Sequence, residues 1–222
     1  MPYKTEFHCH TIYSKDSLLT PAQLVKTCRK RGIDRVIITD HNSIQGALAA
    51  RELAPKMVII GEEIMTTKGE ILAAYLHKEI PAGLSPKETI QRLRTQGAFI
   101  SVAHPFDFTR HGHWQEEDLL EILPLVDAIE TFNARCLLPS MNKKAQEFAA
   151  RFKISATVGS DAHAAFELGR ATLTLPKFNS ARELQTIIRQ GMPRTHRSGI
   201  TARIASRYAV IRKKISPSLC KN

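Results

Sequence analysis

Residues 35–41 read Arg-Val-Ile-Ile-Thr-Asp-His, and this stretch shows the pattern that decides the fold. Its apolar run predicts a buried β-strand from Arg35 to Thr39. Two residues with chemically active side chains, Asp40 and His41, follow the strand directly. Buried strands that end in such residues are typical of parallel α/β proteins, in which ligands and catalytic groups gather at the carboxyl ends of the strands.

The same unit recurs along the chain, with amphipathic helices between the strands. Further strands are predicted over residues 4–10, 57–61, 70–77, 98–103, 128–132 and 155–158. Helices are predicted over residues 21–30, 44–53, 86–96, 116–123, 139–152 and 180–189. Thr20-Pro21 and Ser85-Pro86 mark two helix starts, because each places a capping hydroxyl before a proline at the first helical position. Strands that alternate with helices imply parallel pairing, so we expect an α/β barrel or a doubly wound sheet.

Histidines and carboxylates follow most of these strands. His8 and His10 are two residues apart on the first strand, so both imidazoles face the same side and can reach one ion. Later strands are followed by Glu63, by His104, by Glu130 and Asn133, and by Asp161 and His163. Mixed imidazole and carboxylate ligands suit zinc, manganese or iron, and their number predicts two or three divalent ions. Such a cluster lowers the pKa of bound water and supports displacement at phosphorus.

The net charge of +11, from 32 Lys+Arg and 21 Asp+Glu, is unevenly distributed. Residues 194–222 hold eight of the basic and none of the acidic side chains, so residues 1–193 hold 24 basic and 21 acidic ones. We therefore divide the chain into a nearly neutral barrel domain, residues 1–193, and a basic extension, residues 194–222. A cationic excess is typical of proteins with an anionic partner.

The extension has two interpretations. Apolar residues recur in it at helical spacing, which predicts a helix that packs on the barrel. These residues are Ile200, Ile204, Ala205, Tyr208, Ile211 and Ile215. Alternatively, the extension contacts nucleic acid or a membrane surface. No apolar run is long enough to span a membrane, and no signal peptide is evident. The four cysteines, Cys9, Cys28, Cys136 and Cys220, form no CxxC pair. We therefore expect a cytoplasmic protein with reduced thiols.

Five segments together resemble the PHP family, named for polymerase and histidinol phosphatase, over about residues 5 to 175. They are His-Cys-His-Thr-Ile-Tyr-Ser-Lys-Asp-Ser (residues 8–17), Ile-Thr-Asp-His-Asn (38–42), Gly-Glu-Glu-Ile (61–64), Ala-His-Pro-Phe-Asp (103–107) and Gly-Ser-Asp-Ala-His (159–163). The resemblance implies a distorted (β/α)7 barrel with a multinuclear metal site. It assigns His8, His10, Glu63 and Asp161 to one ion, Glu63 and His104 to a second, and Asp16, His41 and His163 to a third.

One position departs from the family pattern. Many members have a histidine for the second ion two residues after a glutamate, and here Glu70-Ile71 is followed by Leu72. His77 lies five residues further along, where its parity on the strand is wrong for a simple replacement. His77 therefore stays a weak ligand candidate, and either the second ion is under-coordinated or the site holds two ions.

Other residues are predicted to contact the substrate or to support the ligands. The substrate-binding candidates are Arg110, Asn133 and Arg135, and His111 and His113 lie either at the mouth of the site or in a solvated loop. Arg135 is expected to hold a phosphate, because a guanidinium matches phosphate geometry. Asp16 or His163 is expected to assist the leaving group. Asp40 is expected to orient an imidazole, and Glu130 to line the site.

These features favour a metal-dependent phosphoesterase in which a metal-bridged hydroxide attacks a phosphomonoester or phosphodiester. The expected substrate is a small phosphorylated molecule, a nucleotide or a short oligonucleotide; the alternative is histidinol phosphate. A rival from another class is a non-enzymatic module with a PHP-like scaffold that binds nucleic acid through its extension. A second rival is a metal-dependent C–N hydrolase, which would require a bridging lysine that the strand ends lack.

Overall fold

The computed structural model describes residues 1–110 and 112–216. Within them the strands are β1 (Tyr3–Glu6), β2 (Arg35–Ile38), β3 (Val58–Met65), β4 (Glu70–Ala74), β5 (Phe99–Val102), β6 (Ala128–Asn133), β7 (Ser155–Gly159), β8 (Ala171–Leu175) and β9 (Met192–Thr195). The α-helices are α1 (Pro21–Lys30), α2 (Gln45–Leu53), α3 (Pro86–Thr95), α4 (Glu116–Ile122), α5 (Pro139–Phe152), α6 (Ala181–Ile187) and α7 (Ile200–Ile215).

The strands form one mixed sheet in the order β7-β6-β5-β4-β3-β2-β1-β8-β9. The pairs β1–β2, β2–β3, β5–β6 and β6–β7 are parallel. An isolated parallel bridge between Cys9 and Ala162 brings the ends of β1 and β7 together, so the sheet curves into a nearly closed barrel. The predicted α/β class and the distorted barrel are confirmed.

The expectation of parallel pairing is wrong for β4, which runs antiparallel to both β3 and β5. A four-residue turn, residues 66–69, joins β3 to β4, and Thr66 closes it with a 3.0 Å hydrogen bond from its amide to the carbonyl of Gly69. A connection this short can only make a hairpin, because a parallel crossover needs a dozen or more residues. The strands β8 and β9, which were not predicted, extend the sheet beyond β1 in antiparallel fashion.

Core residues occupy both faces of the strands, in agreement with the unbroken apolar runs. Ile37 packs in one apolar cluster with Phe7 and Phe99, whereas its neighbours Val36 and Ile38 pack in the other. Alternate residues of a strand face opposite sides, so β2 is covered on both faces, as a barrel strand must be. Packing on both faces holds β2 in place and thereby sets the position of Asp40 and His41, which follow it.

The predicted helix in the basic extension is present as α7, but the predicted packing face is wrong. Ala202, Ala209 and Lys213 are buried against the barrel. Of the residues expected to pack, Ala205 is half-buried, whereas Tyr208 and the isoleucines lie outside, with Ile204 61% exposed and Ile215 72% exposed. Polar contacts hold α7 in place, and the small side chains of Ala202 and Ala209 let the helix backbone approach the barrel closely. The isoleucines lie on the other face of the helix, which is exposed to solvent.

None of the helices in the described residues has both the length and the apolar character that crossing a membrane requires.

Candidate metal centre

One end of the barrel collects all eight of the predicted ligand residues and one more, Glu70. They come from the carboxyl ends of β1, β2, β3, β5 and β7, from the amino end of the antiparallel β4, and from the loop after β1. Four groups have ligand atoms that all lie within 4.8 Å of one another: His8, His10 and Glu63; His8, His104 and Asp161; His41, Glu63 and Glu70; and His10, His41 and His163. The groups share members, which is the arrangement expected for more than one ion.

Glu63 lies at the middle of the cluster. Its Oε1 is 3.4 Å from Nε2 of His8 and 3.0 Å from Nε2 of His104. Its Oε2 is 3.3 Å from Nε2 of His10 and 3.0 Å from Nδ1 of His41. A fully buried carboxylate that faces four imidazoles is suited to bridge two ions. The neighbouring Glu62 faces the other way and accepts a 3.0 Å hydrogen bond from the amide of Ile80.

Asp161 completes the group around His8 and His10. Its Oδ1 lies 3.6 Å from Nε2 of His8 and 3.3 Å from Nε2 of His10. Those two imidazole nitrogens are themselves 3.1 Å apart. Both ring nitrogens face the same two carboxylates. His8, His10, Glu63 and Asp161 therefore form a compact set of four candidate ligand side chains.

Asp16, His41 and His163 form the more open side of the cluster. Nε2 of His163 lies 3.1 Å from Oδ2 of Asp16, and Nε2 of His41 lies 3.6 Å from Oδ1. The side chains of His41 and Asp16 are 19% and 22% exposed, whereas those of His8, His10 and Glu63 are fully buried. A substrate would therefore approach from this side.

Glu70 was not predicted as a ligand. Its Oε2 is 3.5 Å from Nε2 of His104, and its Oε1 is 3.7 Å from Nδ1 of His41. The departure at Leu72 pointed to a gap near the second ion, but Glu70 was considered only as part of the Glu-Ile pair that precedes Leu72. Alternate residues of a strand share a face, so Glu70 and Leu72 point the same way, and this parity was the available signal.

His77 does not join the cluster, and its candidacy as a ligand is corrected. The residue follows β4 at that strand's carboxyl end, which is the opposite end of the barrel because β4 runs antiparallel. Its side chain is exposed, and its amide donates a 3.1 Å hydrogen bond to Oε1 of Gln96. His113 is partly buried, with its Nδ1 2.9 Å from the carbonyl of Arg110, and His111 lies outside the described residues.

A layer of polar residues holds the ligands from behind. Oε1 of Glu130 is 2.9 Å from Nδ1 of His8, and its Oε2 accepts a 2.9 Å hydrogen bond from the amide of His104. The amide group of Asn133 donates to Glu130 at 3.0 Å and to Oδ2 of Asp161 at 3.2 Å. Asn133 is fully buried, so the structure places it behind the ligands and not in contact with a substrate.

Asp40 acts on an imidazole through a serine. The carboxylate accepts hydrogen bonds from the amide and hydroxyl of Thr11, at 2.7 and 2.6 Å, and from the hydroxyl of Ser14. Oγ of Ser14 lies 3.0 Å from Nδ1 of His10 and accepts a 3.1 Å hydrogen bond from the amide of His41. Asp40 thus fixes the loop after β1, and Ser14 orients the ring of His10.

The two arginines predicted to hold phosphate already have protein partners. Arg110 pairs with Asp161 and, at 3.2 Å from its Nε, with Asp107. The guanidinium of Arg135 contacts Nδ1 of His163 and lies 3.5 Å from Glu167, a residue not singled out in the sequence. Arg135 also donates to Oγ of Ser206 on α7 at 2.9 Å. Its contacts connect α7 to the metal centre.

Comparison with protein families agrees with this geometry. The model described as the PHP domain matches residues 6–103, and the model described as PHP-associated matches residues 139–192. An uncharacterised protein of Methanocaldococcus jannaschii is 37% identical over 179 residues, which make up 79% of this chain and 72% of that protein. The chain belongs to the PHP family.

Solved structures similar to this PHP protein share its fold. PsfC from Pseudomonas syringae has a TM-score of 0.69 at 15% identity over 96% of this chain and 98% of its own. A proposed metal-dependent phosphoesterase from Bifidobacterium adolescentis has a TM-score of 0.60 at 20% identity over 72% and 88%. A lesion-specific endonuclease from Pyrococcus furiosus has a TM-score of 0.58 at 15% identity over 86% and 56%.

The charges in the PHP centre suit metal ligands. Burial disfavours the charged form of Glu63, but His8 and His41 outweigh burial and hold its pKa well below the usual range. Burial likewise disfavours ionised Asp161, but Arg110 and His8 hold the pKa of that carboxyl well below its usual range. Burial and the charges of His163 and His41 lower the pKa of His10. Ionised carboxylates and a neutral imidazole are the states in which these groups bind metal. Burial lowers the pKa of His8 and of His41, but the facing carboxylates, Glu63 first, outweigh burial and raise both values, so metal binding would displace protons from these two rings.

Unpartnered buried atoms also fit divalent ions. Among the described residues, Oε2 of Glu63, Oδ1 of Asp161 and Nε2 of His163 are buried and have no hydrogen-bond partner. Buried polar atoms rarely lack a partner, and these three atoms belong to side chains that face one another. An ion bound between such atoms would supply the missing interaction, so the residues present fit the metals that the family implies.

The backbone at two ligand positions adopts a conformation that L-residues avoid. His104 has φ 22° and Asp161 has φ 51°. Non-glycine residues with positive φ are uncommon and cluster at functional sites, where the surrounding contacts compensate the strain. Here the strained residues follow β5 and β7, and their side chains face the cluster: His104 faces Glu63, and Asp161 faces His8 and His10.

Gly159, at the end of β7, allows Glu130 to lie close to His8. A Cβ at this position would lie 2.6 Å from Cβ of His8 and even closer to Oε1 of Glu130. Only glycine therefore fits between His8 and the carboxylate that orients it.

A cleft of about 400 Å³ leads from solvent to the open side of the centre. Asp16 and His163 lie in its wall. Its cationic lining residues are Lys15, Arg110, Arg135, Arg203 and Arg207. The mouth of the PHP site is thus strongly basic although the barrel as a whole is nearly neutral.

Proposed function

We propose that this PHP protein is a metal-dependent phosphoesterase that hydrolyses a phosphomonoester or phosphodiester of a nucleotide or short oligonucleotide. The observation that carries the proposal is a set of nine imidazole and carboxylate side chains, seven of them buried, beneath a cleft lined with cations. Divalent ions bound there would lower the pKa of water and neutralise the charge that develops on a phosphoryl group.

The residues divide into three sets by position. His8, His10, Glu63 and Asp161 would hold one ion; Glu63, Glu70 and His104 a second; and Asp16, His41 and His163 a third. Glu70 adds a carboxylate to the second set, in which Leu72 replaces the family histidine, so each of the three sets has at least three side chains. Manganese, zinc and iron all suit such ligands.

The open side of the centre would meet the scissile ester. Asp16 and His163 line the cleft and lie 3.1 Å apart, so either can reach a leaving-group oxygen there. Arg110 pairs with Asp161 and also lines the cleft, so its remaining donors can bind a phosphoryl oxygen. Arg135 would act by holding His163 and α7, and its role in catalysis is positional.

The charge of the cleft favours a nucleotide over histidinol phosphate. Histidinol phosphate carries a cationic ammonium group, and the wall of the cleft has five cations but a single carboxylate, Asp16. A cation there would meet like charges, whereas a phosphate-rich substrate would offset them.

The two other rivals are less well supported by the site. A C–N hydrolase of the related type would require a bridging lysine, whereas the charged groups seen next to Glu63 and Asp161 are imidazoles and Arg110. A purely structural scaffold would not require buried ligand atoms without partners, whose desolvation is costly.

The test is hydrolysis by the purified full-length chain, stripped of metal and reloaded with manganese, zinc or iron. The panel comprises p-nitrophenyl phosphate, bis(p-nitrophenyl) phosphate, nucleoside monophosphates, dinucleotides, histidinol phosphate and amide substrates. We expect metal-dependent hydrolysis of phosphoesters that Glu63→Gln abolishes and Glu62→Gln retains. Absence of phosphoester hydrolysis with every metal would overturn the proposal.

A further inference from the structure

Helix α7 forms one wall of the cleft because three sets of contacts fix it there. The amide of Ser198, just before the helix, donates a 2.7 Å hydrogen bond to the carbonyl of Ala134. Arg135 donates to the carbonyl of Ala202 at 3.2 Å. Near the far end, Nζ of Lys213 donates to the carbonyl of Ser14 at 2.6 Å and also to that of Ile12. The helix is thus tied to the loop that carries Asp16.

The face of α7 that lines the cleft is defined by helical spacing. Arg203, Ser206, Arg207 and Val210 all line it. Positions separated by three, four and seven residues lie on one face of a helix, so these side chains point together toward the metal centre. Lys15, from the loop after β1, lines the same cleft.

These cations lack the partners that the deeper arginines have. Arg110 and Arg135 pair with buried carboxylates, as described above. In residues 1–110 and 112–216, no carboxylate forms an ion pair with Lys15, Arg203 or Arg207. Arg203 and Arg207 are four residues apart on one helix, where like charges destabilise the helix. An anion bound between them would offset this repulsion.

The basic wall continues beyond the metal centre. A second cleft of about 380 Å³ adjoins the first, and Arg135 and Arg203 line both. Arg197 lines the second cleft as well. An anionic chain that enters the metal centre would therefore pass more than one cation on its way out along α7.

We infer that Arg203 and Arg207 of α7, with Lys15 across the cleft, bind a phosphate of the substrate other than the one that is hydrolysed. The substrate class is then a short nucleic-acid strand in which a second phosphate accompanies the scissile phosphodiester. This inference rests on the proposed phosphoesterase function and adds a role for the basic extension within the active site. Ser206 is already engaged by Arg135, so the anion-binding groups are the three cations.

The test compares two substrates that differ by one phosphate: the dinucleotide TpT and its 5′-phosphorylated form, pTpT. We expect the metal-loaded protein to prefer pTpT, and Arg207→Gln or Arg203→Gln to reduce the ratio of the two kcat/KM values about tenfold, as for loss of one charge-assisted hydrogen bond. The matched control is Arg212→Gln, which removes the same charge from an exposed position of α7 that does not line the cleft. It should keep the ratio.

Equal ratios in the wild type and Arg207→Gln would overturn the inference, as would an equal loss in Arg212→Gln, which would assign the preference to net charge. Arg203 also donates to the carbonyl of Arg135 at 3.2 Å, so Arg207→Gln is the cleaner variant. If no ester is hydrolysed, the proposed function fails separately, and binding of pTpT by calorimetry in the Glu63→Gln background still decides the inference. There Arg207→Gln should weaken binding about tenfold and Arg212→Gln should not; equal affinities would reject the subsite.

Discussion

Oε2 of Glu70 lies 3.5 Å from Nε2 of His104, although Glu70 begins its strand and His104 follows the end of its own. The two meet because β4 and β5 are antiparallel, with Ile71 opposite Val102. Many PHP proteins have a histidine where this chain has Leu72, and Glu70, two residues before Leu72, brings the number of candidate ligands in the centre to nine.

This relationship predicts that Glu70→Gln lowers metal content. Groups that only orient ligands typically contribute about 10–100-fold in metal affinity or activity, so a ligand carboxylate should contribute at least that much. We expect metal analysis to show the loss of about one ion per chain, with hydrolysis reduced about 100-fold. His77→Asn is the control, because His77 lies at the other end of the barrel. Full metal content in Glu70→Gln would show that Glu70 is not a ligand.

Arg135→Lys should distinguish a positioning role from a phosphate-binding role. Lysine keeps the charge but cannot replace the planar fork that joins His163, Ser206 and Ala202. We expect kcat to fall about tenfold with little change in KM, and amide hydrogen exchange in α7 to accelerate. A rise in KM alone, with α7 still protected from exchange, would indicate that Arg135 binds the substrate phosphate directly.

Gly159→Ala should disturb the metal centre through packing alone. The added methyl group would overlap His8 and Glu130, and overpacking of this kind costs about 1–3 kcal/mol. We expect a lower free energy of unfolding in denaturant titrations together with reduced metal affinity. Gly83→Ala is a useful comparison, because a Cβ there meets no atom within 4 Å and only its φ of 79° is unfavourable. Unchanged metal affinity in Gly159→Ala would contradict the predicted clash.

Glu79 provides a pH-dependent test of stability away from the centre. Its carboxylate accepts hydrogen bonds from the amide of Ile44 at 3.0 Å and from Ser43 and Gln45 at the start of α2. Burial raises the pKa of Glu79, but the three hydrogen bonds together outweigh burial and lower it overall. A carboxyl with a lowered pKa in the folded state stabilises the protein above its unfolded pKa and loses that effect as the pH falls through the folded pKa.

We therefore expect Glu79→Ala to lower the free energy of unfolding by about 1 kcal/mol at pH 7, as for loss of a helix cap. The difference from the wild type should shrink as the pH falls below 4.5, the ordinary pKa of a glutamate carboxyl, and through the lower pKa of the folded state. Denaturant unfolding at several pH values measures it. A difference that stays constant down to acidic pH would assign the effect to packing and not to the charge.

Much of the metal centre was evident from the order of residues. Apolar runs followed by histidine or carboxylate predicted the strands and the end of the barrel at which the ligands gather, because parallel strands present their carboxyl ends together. The parity of His8 and His10 predicted that both rings face one side, and the structure places their ring nitrogens 3.1 Å apart. These features depend on local periodicity, which a sequence records directly.

What the sequence by itself determined was the class of fold, the family and eight of the nine candidate ligands. Only the tertiary structure decided the direction of β4, and with it the inclusion of Glu70 and the exclusion of His77. It alone also turned the isoleucines of α7 outward and its arginines toward the cleft. The physical reason is the same in both cases: strand direction and the packing face of a helix depend on contacts between segments distant in sequence, and local pattern does not encode them.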